Sequence, residues 1–200
     1  QDKLYIAYNN IEEYLKDLKH ALTKEHKRYG EVGLINNGKR IQINTSIIQI
    51  ENEYYSSIRP KRVTPPGERP INVLRDQGID YLEIRALDNN SFLPAGIDEN
   101  TSYFLEAYLI GCFFDENIKA TQSEIKELLF NWENVVKNGR NPDLKLHKNN
   151  ERITIKDCGM KVIDSLRSIF EQMPQEMNLF RDKVFKSVSY THLRAHETDR

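Results

Sequence analysis

Apolar residues recur at helical spacing soon after the chain begins. Ile11, Tyr14, Leu15, Leu18 and Leu22 share one face of a helix predicted over 11–23, and Asn10 with Glu13 three residues on forms a capping box to start it. Asn36-Asn37-Gly38 then predicts a hairpin turn, because Asn and Gly accept the positive φ angles such a turn requires. It should join a strand near 32–35 to another over about 39–44. Extended structure is expected to continue through 47–63, to break at Pro65-Pro66-Gly67 into a polar loop, and to resume as a strand at 79–87.

Past Pro94 the period changes from two to about 3.6. Asp98 can cap a segment bearing Phe104, Leu105, Tyr108, Leu109, Cys112 and Phe113. Thr121 with Glu124 opens a clearer helix, whose apolar stripe is Ile125, Leu128, Leu129, Trp132, Val135 and Val136 and whose stop is Gly139. A last helix, capped by Asp157, carries Ile163, Leu166, Ile169 and Phe170. Strands first and helices after predict an α+β arrangement with helices covering one face of an antiparallel sheet. From Ser187 the apolar periodicity lapses. Residues 187–200, SVSYTHLRAHETDR, read as a non-native tail and are set aside from functional reasoning.

Charge and composition narrow the function classes. Lys plus Arg number 29 against 30 Asp plus Glu, so the chain as a whole has no pull toward nucleic acid or an anionic membrane, and any basic function must be local. No apolar run approaches the length of a bilayer span, and the opening residues lack the pattern of a signal peptide. Cys112 and Cys158 stand far apart without metal-ligand spacing, which points to a reducing, cytoplasmic setting; Cys112, on an apolar helical stripe, is expected in the core. His20, His26 and His147 are expected on exposed helix or loop positions with no zinc spacing.

Two segments carry candidate chemistry. In IDYLEIRALD, period-two alternation puts Tyr81, Glu83 and Arg85 on one face and Leu82, Ile84 and Ala86 on the other, expected to be core. A carboxylate beside a guanidinium is either part of a site or an ordinary surface ion pair. In ENEYYSSIRPKR, an extended chain sends Glu51, Glu53, Tyr55, Ser57, Arg59 and Lys61 to one side. Arg gives a planar fork for phosphate or carboxylate and Lys a point charge, though a short basic run is also what a solvated loop looks like. A single-stranded nucleic-acid module using Arg59, Lys61, Arg62 and Arg69, with tyrosines stacking on bases, is the alternative from a different class.

The runs GKRIQINTSIIQIENEYYSSIRPKRVTPPGE and GIDYLEIRALDNNSFLPAGID closely resemble glutamate-cysteine ligases of the proteobacterial type, and the resemblance extends from Gln1 to about Pro142. It implies a glutamine synthetase-like catalytic fold, in which residues 1–186 form part of a domain lacking its N-terminal strands, with 143–186 helical and weakly matched. It also implies an activity: ATP-dependent joining of the γ-carboxylate of L-glutamate to the amine of L-cysteine through γ-glutamyl phosphate, with Mg²⁺ bridging the phosphates. By resemblance Glu83 stands at a metal-binding position and Arg85 at a phosphate-binding, catalytic one. Tyr55 falls where the family lines its cysteine pocket, and Arg59 and Lys61 in the basic strand that approaches ATP phosphate or glutamate. A related ligase with another amine acceptor remains the nearer alternative. A chain carrying so few of the family's acidic residues is expected to be inactive by itself.

Overall fold

The computed structural model describes residues 4–114, 119–148 and 151–197, with side chains as far as 189. The chain forms two compact units, Gln1–Asp88 and Asn89–Arg200.

In the first unit α1 (Ile11–Thr23) begins where predicted: the Asn10 side chain accepts a 2.8 Å hydrogen bond from the Glu13 amide, satisfying one of the unpaired N–H groups of the first turn. Its Tyr14, Leu18 and Ala21 pack with Ile6, Ile48 and Tyr54 as the core. A short helix, α2 (Lys27–Val32), follows and takes up Val32, which the sequence pattern assigns to a strand. The hairpin stands, with Asn37 at φ 49° and Gly38 at φ 74°, but its strands β1 (Ile35–Asn36) and β2 (Lys39–Arg40) are only two residues each. Side chains replace the longer ladder: the Gln42 amide donates to the carbonyls of Tyr29 (2.7 Å) and Gly33 (2.6 Å), drawing the chain away from its partner.

The expected extended run over 47–63 is also shorter. Residues 51–53 form a 3₁₀ turn, because Glu53 accepts from the Gln49 amide (2.7 Å) and the Tyr54 amide closes onto the Glu51 carbonyl. Only β3 (Ile58–Lys61) is strand. The loop expected after Pro65-Pro66-Gly67 gives way to α3 (Pro70–Gln77), with Pro at the first helical position and Gly78, at φ 78°, ending it. Next, β4 (Tyr81–Ile84) pairs antiparallel with β3, Arg59 opposite Glu83 and Lys61 opposite Tyr81.

The second unit is mostly helical. Asp98 accepts a 2.6 Å bond from the Thr101 amide at the start of α4 (Glu99–Phe114), and Thr121 with Glu124 makes the predicted reciprocal box on α5 (Gln122–Asn138), which Gly139 caps. Between α5 and the last helices lies a hairpin not read from sequence, β5 (Lys145–Lys148) and β6 (Glu151–Thr154). The Asn131 side chain holds it, donating to the His147 carbonyl (2.6 Å) and accepting from the His147 amide (2.8 Å), as a neighbouring strand would. The cap of α6 (Ile155–Glu171) is Thr154 rather than Asp157, which sits at the third helical position with its amide bonded to the Thr154 hydroxyl.

Ile163 and Phe170 of α6 pack with Ala107 of α4 and with Val184 and Val188 of α7 (Asn178–Glu197). Gly111 lets α4 and α6 close up, since a Cβ there would lie 2.3 Å from a Leu166 methyl. Ser187 and Val188, the first residues of the segment set aside above, are fully buried on α7; His192 and His196 lie beyond the described side chains. Cys112 is exposed rather than core. Of the α5 stripe only Ile125 is buried, Leu128 and Trp132 being more than half exposed.

The α+β class therefore holds, while the strands form three separate two-stranded antiparallel ladders among the described residues. Phe170→Ala should destabilise the second unit by about 3–5 kcal/mol, the cost of a large cavity at a site with no exposure. Urea unfolding followed by circular dichroism measures it.

Candidate functional site

Directly opposed residues of an antiparallel pair share a face. The register of β3 and β4 therefore brings Arg59 and Lys61 to the same face as Tyr81 and Glu83, and Arg85 follows one pleat beyond β4, its amide bonded to the Ser57 carbonyl at 2.7 Å. Glu83 stands at the centre. Its Oε1 accepts from Arg85 Nη2 at 2.9 Å, and its Oε2 lies 3.8 Å from Lys61 Nζ. The Arg85 guanidinium in turn sits over the Tyr55 ring, 5.3 Å from its centre, so Tyr55, Lys61, Glu83 and Arg85 form one cluster.

Electrostatics follow from that geometry. The hydrogen bond from Arg85 holds the Glu83 carboxyl below its usual range; the charges of Lys61, Arg85 and Arg59 act in the same direction, and burial opposes them. Glu83 is thus ionised throughout the neutral range, as a metal ligand or phosphate-organising group must be. Its Oε2 is enclosed and accepts no hydrogen bond from the protein. An enclosed carboxylate oxygen of this kind suits a hard cation such as magnesium, which binds through one or two carboxylates and completes its shell with water and phosphate oxygens. Among the described residues no three carboxylate, imidazole or thiol side chains come together as a metal cage.

Arg59 is placed differently from the other cations. It is 5% exposed, its Nη2 donates to the Glu51 carbonyl at 3.2 Å, its guanidinium lies 5.9 Å from the Tyr54 ring centre, and its Nε has no protein partner. These contacts make it a brace for the turn over 51–53. Lys61 keeps a partly exposed ammonium.

Sequence reasoning missed the support behind this face. Glu51 is buried and accepts from Arg69 Nε at 2.9 Å. The Tyr8 hydroxyl donates to the Ile58 carbonyl (2.9 Å) and lies 2.7 Å from the Ser56 hydroxyl and 3.1 Å from that of Tyr54. Burial, reinforced by Tyr8, pushes the Tyr54 phenol above its ordinary range, so it stays a neutral hydrogen-bonding group. No local signal announces pairings across such sequence separations. The opposite face, expected to be core, is only partly covered: Leu82 is 45% exposed and borders a pocket of about 210 Å³ with Tyr8, Ile11, Tyr14, Ile58 and Pro60.

A carboxylate held between two cations on one strand face, beside an aromatic ring, gives this α+β fold a surface with fixed charges of both signs. The chain belongs to the glutamate-cysteine ligase family, whose model matches residues 1–135 and so contains the whole cluster. It is 42% identical over 169 residues to the glutamate-cysteine ligase of Pseudomonas putida, an alignment covering 84% of this chain and 32% of that protein. With the corresponding protein of Pseudomonas syringae pv. syringae it shares 37% identity over 199 residues, 99% of this chain and 37% of the relative, so the likeness runs beyond Pro142. The crystal structure of the Francisella tularensis glutamate-cysteine ligase in complex with AMP superposes with a TM-score of 0.82 at 38% identity, over 94% of this chain and 38% of that one. The chain spans about a third of the length of these relatives.

The Glu83 carboxyl should titrate in ¹³C NMR below the ordinary carboxylate value, and Arg85→Ala should move it back upward. Because the folded-state pKa is the lowered one, the stability this pair contributes is present above the unfolded carboxylate pKa and is lost as pH falls through the folded value.

Proposed function

We propose that the protein containing this chain is an ATP-dependent ligase that joins the γ-carboxylate of L-glutamate to the amine of L-cysteine. One observation carries the assignment to these residues: Glu83, fixed between Arg85 and Lys61, lies inside the family match on a face that also presents the Tyr55 ring. The AMP complex of the Francisella relative supports an adenine nucleotide as co-substrate.

In the first step a γ-carboxylate oxygen attacks the γ-phosphorus of ATP, and ADP leaves. In the second the cysteine nitrogen attacks the acyl carbon of γ-glutamyl phosphate, loses a proton and expels phosphate. Both steps move negative charge onto oxygens, so fixed cations aimed at them contribute more to the transition state than to the ground state. Arg85 is suited to this role: one edge of its guanidinium is spent on Glu83, which orients the rest of the fork. Lys61 adds a point charge to the same face. Glu83 would hold magnesium through Oε2, and magnesium bound there would offset charge on the phosphate oxygens. Tyr55, 70% exposed, offers an apolar wall to the cysteine side chain. Arg59 acts through the turn it braces.

Full-length protein should release ADP in the presence of glutamate, Mg·ATP and cysteine and yield γ-glutamylcysteine. Equal release with and without cysteine, or faster release with another amine, would move the acceptor elsewhere. Glu83→Gln and Arg85→Ala should each lower turnover by about a hundredfold or more with folding retained; near-normal rates would make the cluster a surface ion pair. The 200-residue chain by itself, in which no three potential metal ligands come together among the described residues, should show no cysteine-dependent ADP release.

A further inference from the structure

The Arg85 guanidinium is held on two sides by groups of different kinds. Glu83 accepts a 2.9 Å hydrogen bond from its Nη2, while its central carbon lies over the Tyr55 ring, 5.3 Å from the ring centre. The backbone that carries the ring is tethered on both sides. Tyr55 follows Tyr54, which is buried in the core, and the Arg85 amide bonds to the carbonyl of Ser57, two residues beyond Tyr55. Side-chain exposure of 30% leaves Arg85 within reach of a ligand, and a carboxylate contact alone would leave its plane free to swing about that one bond. Ring and carboxylate together leave it less freedom than either contact alone.

We propose that Tyr55 is a positioning residue for Arg85, so that the wall offered to the acceptor amine also sets the plane of the guanidinium that meets the phosphoryl group. This rests on the ligase reading above and goes beyond it, since there Tyr55 serves only the acceptor. The physical consequence is a coupling between two subsites. A cation over an aromatic face is attracted more strongly when water is excluded from the pair. An acceptor resting on Tyr55 covers part of that ring and strips water from the contact, tightening the hold on Arg85 as the second substrate arrives. The phenol oxygen is not needed for this; the ring is.

The experiment follows the step in which the acceptor takes no part: glutamate-dependent ADP formation by full-length protein without cysteine. Tyr55→Leu, at an exposed position where folding is retained, should slow that step on the order of fivefold, the size expected for loss of a partly exposed cation–ring contact. Tyr55→Phe should restore most of the rate. A raised KM for cysteine in Tyr55→Leu, with the cysteine-independent step unchanged, would confine Tyr55 to the acceptor pocket and overturn the proposal. A wild-type protein that forms no ADP from glutamate and ATP, with or without cysteine, would overturn the ligase reading instead. In that event NMR still decides the positioning role: the Arg85 δ-methylene protons should be shifted upfield by the ring in wild type and Tyr55→Phe and not in Tyr55→Leu. No upfield shift in wild type would sink it.

Discussion

The short ladder between β3 and β4 sets Arg59 opposite Glu83 and Lys61 opposite Tyr81, and every contact of the candidate site that crosses between the two strands depends on that register. A slip of one residue would turn Lys61 and Arg59 to the far face and leave Glu83 opposite Ile58 or Pro60, with no cation across from it. So short a ladder cannot hold its register by backbone bonds alone. It is held from outside. The Ser57 carbonyl accepts from the Arg85 amide at one end and the Lys61 carbonyl from the Asp80 amide at the other, while the Tyr8 hydroxyl, from the segment before α1, donates to the Ile58 carbonyl.

That dependence explains why polar groups are buried behind the site. Glu51, Arg59 and Tyr54 each lose water, a cost that falls only where hydrogen bonds replace it. Glu51 gains Arg69, Tyr54 gains Tyr8, and Arg59 gains the Glu51 carbonyl and the Tyr54 ring. The resulting network ties the turn at 51–53, the start of β3 and the segment before α1 into one support. Charges in front of it can then be held at fixed separations without being buried themselves.

The second unit is organised by ordinary helix packing around Phe170, with Gly111 permitting a close crossing. Its α5 helix keeps an apolar stripe largely uncovered. With Leu146 and Ile153 of the hairpin, the stripe borders an open cavity of about 650 Å³.

Local physics made much of this legible in the amino-acid order. The caps at Asn10, Asp98 and Thr121, the hairpin at Asn37-Gly38, the stop at Gly139, and the sharing of one face by Tyr81, Glu83 and Arg85 all depend on residues within a few positions of one another. The family resemblance likewise rested on long local strings. Other features were hidden because their causes are distant or compete with local preference. Val32 and residues 51–53 left extended structure for side-chain bonds that form only when the Gln42 amide finds the Tyr29 and Gly33 carbonyls and the Glu53 carboxylate finds the Gln49 amide. The β5–β6 hairpin depends on Asn131, far back on α5, and Cys112 went outward because only one side of α4 meets α6 and α7. The sequence by itself determined which residues can bear charge, cap helices and alternate along a strand, since these are properties of single residues and near neighbours. Only the tertiary structure decided that Lys61 joins Glu83, that Tyr55 stacks on Arg85 and that Arg59 turns inward, because strand register and burial are set by contacts between segments that the chain order leaves far apart.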